Sequence, residues 1–183
     1  MHIVPLESLG EKICIIGPSS SGKSSLAKAL GNKLDFKVLY LDQIAHLPNT
    51  NWQPREKELI RADHHEFINK NNNWIIEGNY SFLMKDRFSS ASCIIWLDFK
   101  RIGSLIRFIK RGMQNSKDRA GNLEGAKEQI NWDMLRHILY VAPKNRFKYA
   151  KLISESNAML VHIKSMKELN KYYQEWELDK RFG

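Results

Sequence analysis

Cysteine is scarce: the 183 residues contain two, Cys14 and Cys93, with no C-x-x-C spacing. This leaves no basis for a disulfide framework or a dithiol redox motif. Each sits in an apolar run, where a thiol packs as a small hydrophobe, so both are expected to be reduced. No stretch approaches the ~18 consecutive apolar residues of a membrane span, and Met1 to Glu11 lacks the apolar centre of a signal peptide. The expectation is a cytoplasmic protein with no membrane partner. Internal repeats and low-complexity tracts are also missing, which excludes a solenoid. His64, His65, His137 and His162 show no metal-ligand spacing, so no zinc site is expected.

Aromatic and branched residues are present in number. Apolar residues make up 43% of the chain, with five tryptophans and eight phenylalanines, which is enough to fold. The length suits one well-buried domain spanning residues 1–183. Acidic residues are sparse in one place. Residues 100–151 hold 13 Lys and Arg against 4 Asp and Glu, so this stretch carries the whole +9 net charge. Such an excess attracts phosphate on a nucleotide, a metabolite or a nucleic acid.

The hydrophobic pattern alternates between strand and helix. Lys12 to Ile16 reads as a strand and Ser24 to Leu34 as a helix. Val38 to Leu41 is a second strand, followed by an irregular stretch from Asp42 to Pro54. A helix from Arg55 to Asn69, a strand Trp74 to Ile76, one or two helical turns over Ser81 to Phe88 and a strand Ser92 to Leu97 continue the rhythm. Arg101 to Arg111 and Glu124 to Leu139 read as helices around a glycine-containing break, 112–125. Pro143 should kink or end the second of these, Asn145 to Ile153 continuing it. Strand Ala158 to Ile163 and helix Met166 to Glu177 finish the chain. Strands this uniformly apolar imply a mainly parallel sheet covered on both faces, a three-layer doubly wound α/β fold. The core would comprise 12–111 and 126–177.

Gly17-Pro18-Ser19-Ser20-Ser21-Gly22-Lys23-Ser24 satisfies G-x-x-x-x-G-K-[ST] between a strand and a helix, the context the motif requires. The glycines permit close backbone approach, and the N–H groups of Ser19, Ser20, Ser21 and Gly22 can surround phosphate oxygens at a helix N-terminus. Lys23 supplies positive charge to the β and γ phosphates. Ser24 is expected to ligate Mg²⁺, and Ser25 to reach the α-phosphate. These residues define a P-loop for ATP or GTP.

Two acids follow strands, Asp42 and Glu77, and strand C-termini line the ligand crevice of open α/β sheets. Asp98 is a third, weaker candidate. Arg107 and Arg111 share one helix face next to the break that contains Arg119, a group suited to neutralising a triphosphate. Trp52, beside Asp42, is a candidate for a substrate pocket. A solvated face is the better reading of Arg146, Lys148 and Lys151.

The combination of the P-loop, Tyr40-Leu41-Asp42 with Trp52, Ile75-Ile76-Glu77-Gly78-Asn79-Tyr80 and Trp96-Leu97-Asp98 resembles an adenylate-kinase-like P-loop family, the DNA topology modulation proteins, over about Lys12 to Tyr173. The resemblance implies a small-molecule kinase. It implies ATP in preference to GTP, an acceptor segment over about 42–72 with Asp42, Trp52 and Arg55, a further substrate contact at Arg87, and an arginine-rich lid about 112–125. It also implies that Glu77 helps hold Mg²⁺, and that Arg107, Arg111 and, approximately, Arg119 lie near ATP. The sequence departs from adenylate kinase after the acid: Gly78-Asn79-Tyr80-Ser81 holds no arginine and the next is Arg87, which counts against AMP as acceptor. Three functions follow: phosphoryl transfer from ATP·Mg²⁺ to a small acceptor, catalysed by Lys23, Asp42, Arg107 and Arg111; a nucleic-acid-associated NTPase; or a nucleotide-binding switch without an acceptor.

Overall fold

A computed structural model of the chain describes residues 3–50, 52–99 and 142–179. Arg107, Arg111, Arg119, the expected lid 112–125 and the helices expected over 101–111 and 124–139 lie outside these residues.

Five strands form one sheet: β1 (Lys12–Ile16), β2 (Lys37–Tyr40), β3 (Trp74–Glu77), β4 (Cys93–Leu97) and β5 (Met159–Ile163). Their order is β2-β3-β1-β4-β5 and every pairing is parallel. The helices are α1 (Lys23–Leu34), α2 (Leu41–Ala45), α3 (Lys57–Lys70), α4 (Ser81–Ser90), α5 (Ala142–Ser154) and α6 (Met166–Glu175). Pro143 falls in the first described turn of α5.

The strand residues alternate between two covered faces. Ile13, Ile15, Ile75, Ile95 and Val161 pack with Leu26 and Leu30 of α1 and Leu169 and Tyr172 of α6. Cys14, Ile16, Ile76 and Ile94 face the opposite way, against Ile60 of α3, Leu83 and Met84 of α4, and Tyr149 and Ile153 of α5. Burial on both sides explains why β1 and β4 read as unbroken apolar runs. The two cysteines are free and buried, and burial pushes both thiols up to about 12. They serve as packing residues.

The register positions the site. Ile15 of β1 and Tyr40 of β2 both pair with Glu77, the last residue of β3. β1 leads into the P-loop and β2 into α2, so Glu77 lies between the starts of these two segments. The irregular stretch expected from Asp42 to Pro54 holds for the described residues from His46 onward, but its start is helical, because Leu41 is buried and opens α2, placing Asp42 in its first turn. The following loop closes on itself through Leu47 N–H to Gln53 O (2.9 Å), Arg55 N–H to Ala45 O (2.9 Å) and an antiparallel bridge between His46 and Pro54.

Candidate active site

The P-loop runs from the end of β1 into α1. Gly17 has φ +153°, and a Cβ there would lie 2.5 Å from the Leu97 carbonyl oxygen and 2.8 Å from Leu97 Cβ. The loop therefore turns directly against β4, where only glycine fits. Gly22, at φ +90°, makes the second turn, and α1 begins at Lys23. The helix N-terminus faces the loop, the arrangement that favours an anion.

Lys23, Ser24 and Glu77 converge. Ser24 Oγ donates to Glu77 Oε2 at 3.1 Å, Lys23 Nζ lies 3.6 Å from Glu77 Oε1, and Lys23 Nζ donates to the Pro18 carbonyl at 3.1 Å. Glu77 is 3% exposed. Burial raises its carboxyl above the usual range, while Lys23 pulls the other way and Asp42 adds to the rise. A buried carboxylate and a hydroxyl, both hard oxygen donors, fit Mg²⁺, a metal that takes much of its coordination from phosphate and water. No group of three or more His, Cys, Asp or Glu that could hold a metal ion occurs among the described residues. Ser21 Oγ is buried with no hydrogen-bond partner among the described residues.

Asp42 is held by a neighbour that the sequence had not assigned a role: Tyr80 Oη donates to Asp42 Oδ1 at 2.7 Å. Burial raises the Tyr80 phenol, and the negative Asp42 raises it further, so it remains a donor. Asn79 is a second unassigned residue. Its Oδ1 accepts from Gly17 N–H at 3.1 Å and its Nδ2 donates to Gly17 O at 2.6 Å. Their position directly after a strand-end acid was the available signal, but side-chain direction there depends on where β1 and β2 lie.

The remaining candidates sit apart from this cluster or already have partners. Trp52, at φ +60°, packs edge-on against His46 with centroids 5.2 Å apart. Arg55 Nη1 donates to the Ile44 carbonyl at 2.6 Å and to Asp63 Oδ2 at 2.8 Å, closing the acceptor-side loop onto α3. Arg87, placed among the substrate contacts by sequence, is fully buried beneath the sheet edge, with Nη2 donating to the Gly78 carbonyl at 2.6 Å. Asp98 accepts from Arg146 Nη2 at 2.7 Å and lies 3.0 Å from His162 Nε2, which stacks on Trp96. Lys148 Nζ donates to Ser81 Oγ at 3.2 Å. Arg146 and Lys148 are both exposed, as expected of a solvated basic face, and their surface contacts reach the residue after β4 and the first residue of α4.

No family model matches the chain, and no curated protein matches it in sequence. Among solved structures it is similar to a gluconokinase from Sinorhizobium meliloti 1021, with a TM-score of 0.56 and 15% identity over 92% of this chain and 90% of that one. It is also similar to a deoxyadenosine kinase from M. mycoides with bound dATP, at a TM-score of 0.50 and 12% identity over 91% of this chain and 99% of that one. At such identities the likeness concerns the fold, and it agrees with the sheet: this is an α/β P-loop fold of the kind found in kinases. Neither neighbour is a DNA topology modulation protein, so that kinship rests on the motifs alone. No helix among the described residues is long and apolar enough to cross a membrane.

Proposed function

We propose that the chain transfers the γ-phosphoryl group of ATP to a hydroxyl of a small acceptor, in the manner of P-loop kinases. The observation that carries this reading is the register at Glu77. It sets a phosphate cradle on one side and a positioned carboxylate, Asp42, on the other, at the C-terminal edge of one sheet. A nucleotide-binding switch would need the cradle but gives no reason for the second carboxylate.

In this reading the P-loop N–H groups and Lys23 hold the β and γ phosphates, and Arg107, Arg111 and Arg119 remain proposed as cations over the triphosphate. Ser24 directly, and Glu77 through water, would hold Mg²⁺, which supplies charge neutralisation across the β and γ phosphates. The acceptor oxygen bonds to Pγ as the bond from Pγ to the β–γ bridging oxygen breaks, releasing ADP. The acceptor proton passes to Asp42, whose Oδ2 is available because Oδ1 accepts from Tyr80. Positioning and charge neutralisation provide most of the rate. The two kinase neighbours support the class of reaction, and nucleosides, nucleotides and hydroxylated metabolites are the acceptors to screen.

The test is a radiolabelled-ATP transfer screen over those compounds. Lys23→Ala should abolish transfer, by about a thousandfold or more. Asp42→Asn should lower kcat by about a hundredfold or more while ATP affinity stays within about threefold. Unchanged turnover in Asp42→Asn would remove its catalytic role. ATP binding without transfer to any compound would favour the switch. Hydrolysis accelerated by duplex DNA, with steep salt dependence, would favour the nucleic-acid reading suggested by the basic segment.

A further inference from the structure

The turn joining β3 to α4 carries more hydrogen bonds than its length requires. Gly78 N–H donates to the Ile15 carbonyl at 3.1 Å, the last backbone bond between β1 and β3 before the strands diverge. Where the next rung would fall, the Asn79 side chain takes over: both amide atoms bond to Gly17, at 3.1 and 2.6 Å. The side-chain amide thus mimics a peptide group and ties the entrance of the P-loop to the turn. One residue later, Tyr80 reaches the other way, to Asp42 on α2 at 2.7 Å.

The turn itself is fixed from below. Its Gly78 carbonyl accepts from buried Arg87 at 2.6 Å, and its Asn79 carbonyl accepts from Tyr149 Oη of α5 at 3.3 Å. Gly78 has φ +137°, and its Cα lies so close to α2 that an added Cβ would sit 2.9 Å from Leu41 Cβ. Two side chains of adjacent residues therefore grip the two halves of the site, and the peptides on either side of Asn79 are each held by one further group.

We propose that Gly78–Tyr80 is a strap coupling the nucleotide half-site to the acceptor half-site: Asn79 positions the P-loop and Tyr80 positions Asp42, so that filling the P-loop steadies α2. This rests on the phosphoryl-transfer reading for the meaning of Asp42, but the coupling itself requires only that nucleotide binds. Asn79 and Tyr80 are positioning residues, acting through Gly17 and Asp42.

Hydrogen exchange of the full chain, with and without AMP-PNP·Mg²⁺, tests the strap without any acceptor. In the wild type, peptides covering residues 41–46 should exchange several-fold more slowly with nucleotide bound. Tyr80→Phe keeps the ring and removes one hydroxyl, so AMP-PNP affinity should stay within about twofold while most of the slowing is lost. Asn79→Ala should weaken AMP-PNP by about tenfold and, at saturating nucleotide, also lose the slowing. Equal protection of 41–46 in Tyr80→Phe and wild type would overturn the strap, as would unchanged exchange of 41–46 in nucleotide-bound wild type. Tyr80→Phe decides the matter even if Asn79→Ala does not fold. Failure of the phosphoryl-transfer reading would look different: strap behaviour intact and no acceptor phosphorylated.

Discussion

The two halves of the site are built by different means. The nucleotide half is defined by backbone: a loop with two left-handed glycines, pressed on β4 and running into a helix N-terminus. The half proposed for the acceptor is defined by side chains: Asp42 held by Tyr80, Trp52 against His46, and a loop tied down by Arg55. A triphosphate is one chemical object, recognised by N–H groups whose arrangement needs particular residues at fixed spacing. An acceptor can have many shapes, and a short helix with a polar loop can be altered without disturbing the sheet.

The sharpest way to break this contrast is Gly17→Ala. The added methyl meets a backbone oxygen at 2.5 Å and a Cβ at 2.8 Å, and neither can rotate away. Nucleotide affinity should fall by at least about a hundredfold, with a stability loss of about 2–4 kcal/mol from overpacking and strain. Trp52→Phe, a change of larger volume in the acceptor half, should leave AMP-PNP affinity within about twofold. Calorimetric titration of both variants checks the pair. A comparable loss in Trp52→Phe would mean that the halves are not separable.

The same contrast governs what could be read from sequence. The P-loop was legible because its motif encodes backbone geometry, and β1 and β4 were legible because burial on both faces makes them continuously apolar. The place of Glu77 at a strand end was legible from the apolar run before it. The place of Asp42 directly after the second strand's apolar run was also legible, but its helical setting was not. Leu41 is buried close to Gly78, which starts a helix where prolines and asparagines downstream had suggested an irregular loop. Arg87 reads as a surface cation in any local window. Only the packing of α4 under the sheet shows that its guanidinium is enclosed, with Nη2 donating to the Gly78 carbonyl. Asn79 and Tyr80 draw their roles from contacts across 62 and 38 residues, which no local pattern contains.

A second, smaller difference separates the two faces of the sheet. Among the described residues, the buried histidine and arginine, His64 and Arg87, both lie on the side of α3 and α4, away from the core against α1 and α6. Burial lowers His64 to about 4 from 6.5, with positive Arg87 and His65 adding to the effect and Asp86 opposing it. Because the unfolded chain binds this proton more readily, stability should fall as pH drops from about 6.5 towards 4 and be fully present above that window. The loss should be about 2–3 kcal/mol from this group. In His64→Leu that component of the slope should vanish, and stability at neutral pH should be little changed, since neither ring nitrogen has a hydrogen-bond partner among the described residues. Urea unfolding at several pH values measures both. An identical acid slope in wild type and His64→Leu would show that the faces do not differ in this respect.

The smallest effect belongs to Arg55. Its side chain is 22% exposed and its partner Asp63 39% exposed, so their pair, at 2.8 Å, is worth about 0.5–1 kcal/mol. The loop it anchors is also closed by backbone bonds that Arg55→Ala leaves in place, Leu47 to Gln53 and Arg55 to Ala45. Urea unfolding of Arg55→Ala should therefore show a loss of about 1 kcal/mol at most, with AMP-PNP affinity unchanged. What the variant reveals about acceptors is separate from stability. If Arg55 only braces the loop, acceptor KM and kcat shift little. If it exchanges Asp63 for an anionic acceptor, KM rises with kcat nearly constant, the signature of lost uniform binding. The guanidinium already donates to a carbonyl and a carboxylate through a single nitrogen, Nη1, so the bracing outcome is the one the geometry favours.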